Sequence, residues 1–246
     1  MALNAVFFDI GGTLERSWYT PEQRFQSISG LKQLLLSEGI ELEICDADIF
    51  EKISKGYLKY RHFAIDTMVE LATDRVWNEF ILAGLKLDKE KISTVSEKLM
   101  YYLEENFYQR EFRTEVPQVL GAIKNLGLRI GLISNICSRG LVPDNLRKYR
   151  IKDFFEPVIL SSVFGRRKPD PVIFQHAANL VNLPVEDCAY VGDRIARDIV
   201  GARQAGFGLA VQIINDFDHG EDDTGAEPDA IIYQMTELLE ILKQKI

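Results

Sequence analysis

The segment AVFFDIGGTLE, residues 5–15, is a short apolar run that ends at a carboxylate, Asp9, and passes directly into a glycine turn. An unbroken apolar run of this length is typical of a strand that is buried on both faces of a sheet. Two glycines, Gly11 and Gly12, follow the acid, and glycine permits a tight turn where a Cβ would be crowded. We therefore predict a first strand that places Asp9 at the end of the strand, beside a tight turn.

Similar apolar runs recur along the chain, and helical patterns alternate with the later ones. The runs are RIGLISN (129–135), PVILSS (157–162), CAYVGD (188–193), LAVQII (209–214) and AIIY (230–233). The helical patterns cover residues 116–127, 171–181, 197–206 and 235–246, and Gly127 and Gly206 stand where helices commonly end. This alternation predicts an α/β fold with a doubly wound parallel sheet.

Residues 16–112 show helical periodicity without a convincing strand. Helical patterns cover residues 21–39, 46–64, 73–85 and 88–107. A segment of this length is too long for an ordinary crossover between two strands. We therefore predict an inserted α-helical domain at 16–112 and a core formed by residues 1–15 and 113–246.

Composition restricts the classes of function and the compartment. The chain has 246 residues, and 46% of them are hydrophobic, which excludes a fibrous or disordered chain. Its formal net charge is -8, and this acidic balance disfavours nucleic-acid binding. No apolar run has the length of a membrane span. The three cysteines, Cys45, Cys137 and Cys188, are widely spaced and predict buried free thiols and a cytoplasmic location. The acidic stretch 215–229 is predicted to be a surface loop.

Polar residues follow four of the predicted strands at the point where each strand ends. Asp9 follows the first, Ser134 and Asn135 end the second, RRKPDP (166–171) follows the third, and VGDRIARD (191–198) follows the fourth. Open α/β sheets bind their ligands at the carboxyl ends of their strands. The four clusters are therefore predicted to share one site.

In this order, the segments FFDIGGTL, LISN, RRKPDPVIF and YVGDRIARDIVGARQAG resemble the motifs of the haloacid dehalogenase superfamily. The resemblance covers residues 3–15 and about 113–235, and the helical insert corresponds in place and type to the cap domain of many members. It implies a Rossmannoid core and a magnesium-dependent phosphatase acting on a small phosphorylated molecule. No nucleic-acid or membrane partner is expected, and the chain is expected to be a monomer or a homodimer.

The resemblance also assigns roles to individual residues. It implies that Asp9 is the nucleophile that forms an aspartyl-phosphate, and that Lys168 pairs with the nucleophile and the phosphate. Ser134 would donate to a phosphate oxygen, with Asn135 and Gly12 supporting the same group.

The metal site follows from the same resemblance. The carboxylates of Asp9 and Asp193 and the carbonyl of Gly11 would bind Mg²⁺, an ion that prefers oxygen ligands. Asp198 would hold a metal-bound water or orient Lys168.

The sequence departs from the family pattern at Gly11, where phosphatases of the family carry a second aspartate that acts as general acid and base. Such a group contributes on the order of a hundred- to ten-thousandfold, so hydrolysis of esters with poor leaving groups should be slow.

Three interpretations stay open at this stage. The first is a phosphatase in which Glu15, a cap residue or the substrate replaces the acid. The second is carbon–phosphorus cleavage with Lys52 or Lys55 as a Schiff-base lysine. The third is a weakly active binding or regulatory relative. The acids of GDRIARD favour a cation-dependent reaction over a dehalogenase.

Overall fold

A six-stranded parallel sheet forms the centre of the structure, a computed structural model that describes residues 2–217 and 225–246. The spatial order of the strands is β5-β4-β1-β6-β7-β8. Their bounds are Ala5–Phe8 (β1), Arg129–Ser134 (β4), Val158–Leu160 (β5), Cys188–Gly192 (β6), Leu209–Ile213 (β7) and Ala230–Ile232 (β8). The predicted α/β class with a doubly wound parallel sheet is confirmed. Residues 218–224 of the predicted acidic loop lie outside the described residues.

Strand β1 lies in the middle of the sheet and fixes the edge at which the site forms. It pairs in parallel with β4 on one side and with β6 on the other, so that Phe8 stands beside both Leu132 and Val191. The carboxyl ends of these three strands therefore meet at one edge, and the residues that follow them are neighbours.

Both faces of the sheet are covered by helices, which explains why the strands are apolar throughout. Val6 and Phe8 pack on one face, and Ala5 and Phe7 pack on the other. Helices α5 (Val116–Asn125), α6 (Leu141–Lys148) and α10 (Leu238–Lys243) contribute to the first face, and α8 (Pro171–Leu180) and α9 (Val200–Ala205) to the second. Gly127 and Gly206 follow α5 and α9 with positive φ angles, as predicted.

Residues 21–106, called the helical segment below, form a second body of packed helices. It contains α1 (Pro21–Ser37), α2 (Asp46–Thr67), α3 (Thr73–Arg75), which continues as a π-helix over Val76–Ile81, and α4 (Lys89–Asn106). Their apolar faces meet around a cluster that includes Trp77 and Leu99. Thr20 and Asp88 cap the N-termini of α1 and α4 by accepting backbone N–H groups. The four helical patterns predicted from the sequence are found here.

The expectation that residues 16–112 contain no strand is wrong. Strand β2 (Glu15–Trp18) pairs antiparallel with β3 (Gln109–Phe112) and forms a separate two-stranded sheet. This ladder joins the two ends of the helical segment to the core, and β2 crosses the predicted boundary between residues 15 and 16. Three of the four residues of β2 and all four of β3 are at least partly exposed, so these strands have no buried apolar run for the sequence to display.

Two further structural elements connect the strands of the main sheet and were not predicted. Helix α6 follows β4, and a single helical turn, α7 (Ser161–Phe164), follows β5. The expectation of three buried cysteines is also wrong in part, because Cys137 and Cys188 are buried free thiols but Cys45 is exposed. In the part of the chain that the structure describes, no helix is both long and apolar enough to cross a membrane.

Candidate active site

Three predicted carboxylates meet at the carboxyl edge of the sheet. Asp9 follows β1, Asp193 follows β6, and Asp198 lies in the π-helical stretch Ile195–Ile199. The backbone N–H of Asp9 donates to Val191 O at 3.0 Å, which ties the first strand end to β6. Oxygen atoms of the three carboxylates lie within 4.8 Å of one another, and all three residues are buried. The structure thus brings these predicted site residues together.

Lys168 lies behind this cluster and joins two of its members. Its side chain is fully buried, and Nζ lies 2.9 Å from Asp9 Oδ1 and 2.7 Å from Asp198 Oδ1. Nζ also donates to the hydroxyl of Tyr190 at 2.6 Å. The side-chain amide of Asn135 donates to Lys168 O and accepts from Lys168 N, both at 2.9 Å. Asn135 therefore holds the backbone of Lys168 in place, and Asp198 orients its ammonium group.

Ser134 lines the cavity above the carboxylates. It is the last residue of β4 and shares that lining with Asp9 and Gly11. Within residues 2–217 and 225–246, its Oγ takes part in no hydrogen bond. The hydroxyl is therefore free to donate to a bound ligand.

Gly11 and Gly12 differ sharply in the space around them. Gly12 has φ +84°, and a Cβ at this residue would lie 2.0 Å from Asp193 Oδ2. Gly12 is therefore required both by its left-handed backbone and by its close approach to Asp193. Gly11 has no such restriction, because the nearest atom to its Cβ position is Ser17 Oγ at 3.8 Å. The absence of a side chain at residue 11 does not follow from crowding.

Arg197, to which the sequence analysis gave no role, lies at the centre of the cluster. Its Nη2 stands 2.8 Å from Asp9 Oδ2, 2.9 Å from Asp193 Oδ1 and 3.3 Å from Asp198 Oδ2. The sequence signal was its position four residues after Asp193, a spacing that brings helical side chains together. One guanidinium nitrogen thus contacts all three carboxylates.

Burial and the nearby cations separate the pKa values of the two acids that follow β6. Burial raises the pKa of Asp193 to about 7, although Arg197 opposes the rise. Burial also acts against the charge of Asp198, but Arg197 and Lys168 outweigh it and lower the pKa of Asp198 to about 2. Asp198 therefore stays ionised at neutral pH and holds both cations.

The donor set has the chemistry that Mg²⁺ prefers, since carboxylate oxygens are hard ligands for this ion. Asp9 and Asp193 lie beside the turn that carries Gly11, as the predicted ligand set requires. However, the point at which the three carboxylates converge is the position of Arg197 Nη2. The oxygen donors fit the ion, and a basic side chain already stands among them.

A cavity of about 630 Å³ lies between this edge of the sheet and the helical segment. Its lining is rich in arginine and aromatic side chains although the whole chain is acidic. The arginines are Arg24, Arg61, Arg110, Arg167, Arg194 and Arg197, and the aromatic residues include Trp18, Tyr19, Tyr57, Tyr60, Tyr108 and Phe217. This lining supplies the local positive charge that an anionic ligand needs.

Arg61 is the arginine of α2 that reaches this cavity without an acidic partner. Its Nη1 donates to Tyr108 OH at 3.3 Å. Among the described residues, no carboxylate forms an ion pair with it, whereas Arg110 pairs with Glu15 and Arg167 pairs with Glu70. Its charge is therefore available to a ligand.

Two buried glutamates of the helical segment bind groups of the core next to the site. Glu104 accepts the backbone N–H groups of Cys137 and Ser138, both at 2.9 Å. Glu70 accepts Ser161 Oγ at 2.6 Å and lies 3.3 Å from the guanidinium of Arg167. Burial raises the pKa of Glu104, against the effect of the two N–H groups. These contacts, which the sequence analysis missed, join the helical segment to the loops that carry Asn135 and Lys168.

The Schiff-base lysine candidates and Glu15, the named substitute for the missing aspartate, lie in different places. Lys52 Nζ donates to Ala83 O at 2.7 Å, Lys55 pairs with Glu51 on the surface, and neither lysine lines the cavity. Glu15 does line it, and it accepts Tyr149 OH at 2.6 Å and pairs with Arg110 at 3.1 Å. Burial raises the pKa of Glu15, so its carboxyl retains a proton more readily than an exposed one.

Comparison with known proteins gives one family and several relatives. A family model described as haloacid dehalogenase-like hydrolase matches residues 3–206. Glyceraldehyde 3-phosphate phosphatase of Methanopyrus kandleri is 24% identical over 98% of both chains. Phosphoglycolate phosphatase of Nitrosococcus oceani is 31% identical over 52% of this chain and 56% of its own.

A solved structure supports the same fold over the full length. The 2-haloacid dehalogenase from Pseudomonas syringae pv. Tomato DC3000 aligns with 98% of this chain and 99% of its own. The TM-score is 0.67 at 22% identity.

Proposed function

This chain belongs to the haloacid dehalogenase-like hydrolases, and we propose that it cleaves phosphoric monoesters of small metabolites through an aspartyl-phosphate at Asp9. The relatives named as phosphatases identify it as a hydrolase of the phosphoric monoester type. One observation carries the proposed mechanism. The Asp9 carboxylate is held by Lys168 at 2.9 Å, while Ser134, whose Oγ has no hydrogen bond among the described residues, lines the same cavity from the neighbouring strand.

In the proposed reaction, a carboxylate oxygen of Asp9 attacks phosphorus and the bond to the leaving oxygen breaks. Lys168 and Ser134 stabilise the charge on the phosphoryl oxygens. Water then attacks the aspartyl-phosphate, which releases phosphate and restores Asp9. Mg²⁺, when bound by Asp9, Gly11 O and Asp193, supplies charge that shields the nucleophile from the phosphate.

The departing oxygen of an alkyl phosphate must gain a proton, and Gly11 has no side chain to supply one. Esters with acidic leaving groups need no such proton, so they are the substrates that this site should cleave fastest. Glu15 is one carboxyl group of the cavity lining that could take part, since burial raises its pKa, although Tyr149 and Arg110 hold it. The proposal therefore includes a low rate for alkyl phosphates.

We propose that the helical segment acts as a cap over the site and that the substrate carries a second anionic group. The cavity volume of about 630 Å³ is that of a small-molecule site. Arg61 faces it from α2 without an acidic partner among the described residues, which suits a carboxylate or a second phosphate. We also propose a cytoplasmic location, because the three cysteines are free thiols. The alternative carbon–phosphorus cleavage finds no support, because Lys52 and Lys55 lie outside the cavity.

The test is the release of phosphate from an activated aryl phosphate in the presence of Mg²⁺. We expect the parent protein to turn over and Asp9→Asn to lose on the order of a thousandfold or more in rate. Asp153→Asn is the matched control, because Asp153 is exposed and outside the cavity. Mass spectrometry of acid-quenched protein should find the phosphoryl group on Asp9. An equal rate in Asp9→Asn, or no turnover by the parent protein, would reject the proposal.

A further inference from the structure

We infer that Arg197 is a built-in cation of the carboxylate cluster, so that a divalent cation binds to Asp9 and Asp193 only after the Arg197 side chain has moved out. Nη2 contacts one oxygen each of Asp9, Asp193 and Asp198 at 2.8, 2.9 and 3.3 Å. It therefore occupies the point at which the three carboxylates converge.

A metal ion and this guanidinium cannot share the position. Mg²⁺ binds its oxygen ligands at about 2.0–2.1 Å and accepts little distortion of its octahedron. An ion bound to both Asp9 Oδ2 and Asp193 Oδ1 would stand between the two atoms that Nη2 now contacts. Binding of the ion is therefore coupled to departure of Arg197.

The net charge of the cluster also favours replacement of Arg197 by a bound Mg²⁺. When Asp9, Asp193 and Asp198 are all ionised, as metal binding requires of the two ligands, the three carboxylates and Lys168 leave two negative charges uncompensated, and Arg197 neutralises one of them. Mg²⁺ in place of Arg197 would neutralise both. Both cations together would leave the buried cluster with an excess positive charge, which is unfavourable away from water. Exchange of one cation for the other is thus favoured over joint occupation.

Arg197 has a path out of the cluster. Its side chain is 26% exposed and lines the cavity, whereas the side chain of Lys168 is fully buried. A guanidinium that leaves the carboxylates therefore enters the same space as the phosphate of the proposed substrate. There it can form paired hydrogen bonds with phosphate oxygens, for which its planar geometry is suited.

The effect on metal affinity follows from competition between the two cations. If Arg197 occupies the cluster in about nine of ten molecules, the apparent dissociation constant for Mg²⁺ is about tenfold above its intrinsic value. Removing the guanidinium should remove this factor. If Arg197 only stabilised the folded site, removing its guanidinium would leave the Mg²⁺ affinity unchanged or weaken it.

The experiment is calorimetric titration of the full chain with Mg²⁺ alone, for the parent protein, Arg197→Gln and Arg194→Gln. Arg194 is the matched control, because it has the same charge and lies three residues earlier, while its Nε lies 3.9 Å from Asp193 Oδ2, beyond hydrogen-bond distance. We expect Arg197→Gln to bind Mg²⁺ at least tenfold more tightly than the parent, and Arg194→Gln to differ by less than about threefold. Binding in Arg197→Gln with none detected in the parent also supports the inference.

Equal affinities in Arg197→Gln and the parent, weaker binding in the variant, equal gains in both variants, or no binding in any of the three would overturn it. If Arg197→Gln does not fold, a crystal structure of the parent protein grown with saturating Mg²⁺ decides the question. The ion on Asp9 and Asp193 with Arg197 turned into the cavity supports the inference. Arg197 in its present position at saturating Mg²⁺, with or without a bound ion, overturns it.

This inference rests on the proposed use of Mg²⁺, and its test reads cation binding without turnover. The proposed phosphatase activity fails if Asp9→Asn hydrolyses the aryl ester as fast as the parent. The role of Arg197 fails if Mg²⁺ affinity does not respond to Arg197→Gln. The two outcomes are independent.

Discussion

Gly12 lies against the Asp193 carboxylate so closely that a Cβ on Gly12 would stand 2.0 Å from Asp193 Oδ2. We expect Gly12→Ala to lower the free energy of unfolding by about 2–4 kcal/mol, from the left-handed φ of +84° and the overlap with Asp193. Gly11→Ala is the matched control, and it should change stability by less than about 1 kcal/mol. Urea denaturation measures both, and equal losses would contradict this account of the turn.

Gly11→Asp should restore a proton donor where the turn has room for one, since the nearest atom to the Cβ position is Ser17 Oγ at 3.8 Å. We expect hydrolysis of alkyl phosphates to rise by roughly tenfold to a thousandfold, below the full contribution of a general acid because the helical segment is not adapted to it. Activated aryl phosphates should gain less. A variant that folds and binds Mg²⁺ yet gains on no ester would argue against a site that lacks only its acid.

Arg61→Gln should change the preference among substrates. For a phosphorylated carboxylic acid, we expect kcat/KM to fall by about ten- to a hundredfold, because one hydrogen bond between Arg61 and a charged group of the substrate is lost. For an alkyl phosphate without a second charge, the change should stay within about threefold. Arg75→Gln is the control, because Arg75 pairs with Glu79 on the surface. A similar loss on both esters would assign Arg61 a general rather than a selective role.

Glu104→Gln should weaken the contact between the helical segment and the core. The amide can accept only one of the two N–H groups that Glu104 now binds, so we expect a loss of about 1–3 kcal/mol in the free energy of unfolding. The exposed Glu43 gives the control Glu43→Gln, for which no loss above about 0.5 kcal/mol is expected.

The free energy of unfolding should also depend on pH through Glu104. Burial raises the pKa of Glu104 above 4.5, so the folded protein binds its proton more tightly than the unfolded chain. This contribution to stability is present at low pH and is lost as pH rises from 4.5 through the folded pKa. The stability difference between the parent protein and Glu104→Gln should therefore narrow over that range. A difference that widens with rising pH would mean that Glu104 is held in its charged form.

The main sheet could be predicted because its strands are buried on both faces. Runs such as RIGLIS and CAYVG carry this burial in their composition, so their positions along the chain and their parallel arrangement followed from the alternation with helices, whereas their spatial order did not. Strands β2 and β3 gave no such signal, since ERSW and QREF are short and charged. Helix α6 was missed because it has eight residues and contains Pro143.

The site divides in the same way. Asp9, Ser134, Lys168 and Asp193 could be predicted because they lie in polar clusters at or after strand ends and in motifs that resemble those of the haloacid dehalogenase superfamily. Arg197 was missed because a basic residue in a helical pattern is usually expected to be exposed to solvent. Its partner Asp9 is 188 residues away in the sequence, so only the fold shows the two side chains in contact. Glu70 and Glu104 were missed because their partners, which are backbone groups, Ser161 and Arg167, lie far away in the sequence and show no spacing that would indicate the contact.

The pairing of β2 with β3 has a mechanical consequence. The chain passes between the core and the helical segment twice, and both passages run side by side as a single ribbon with the register Glu15 to Phe112 and Trp18 to Gln109. A two-stranded ribbon bends across its face more easily than within its plane, because in-plane bending stretches the ladder bonds. We therefore expect the two passages to act as one hinge and not as two separate tethers. If the two bodies move relative to each other, this ribbon should favour opening and closing about one axis over sideways sliding across the site.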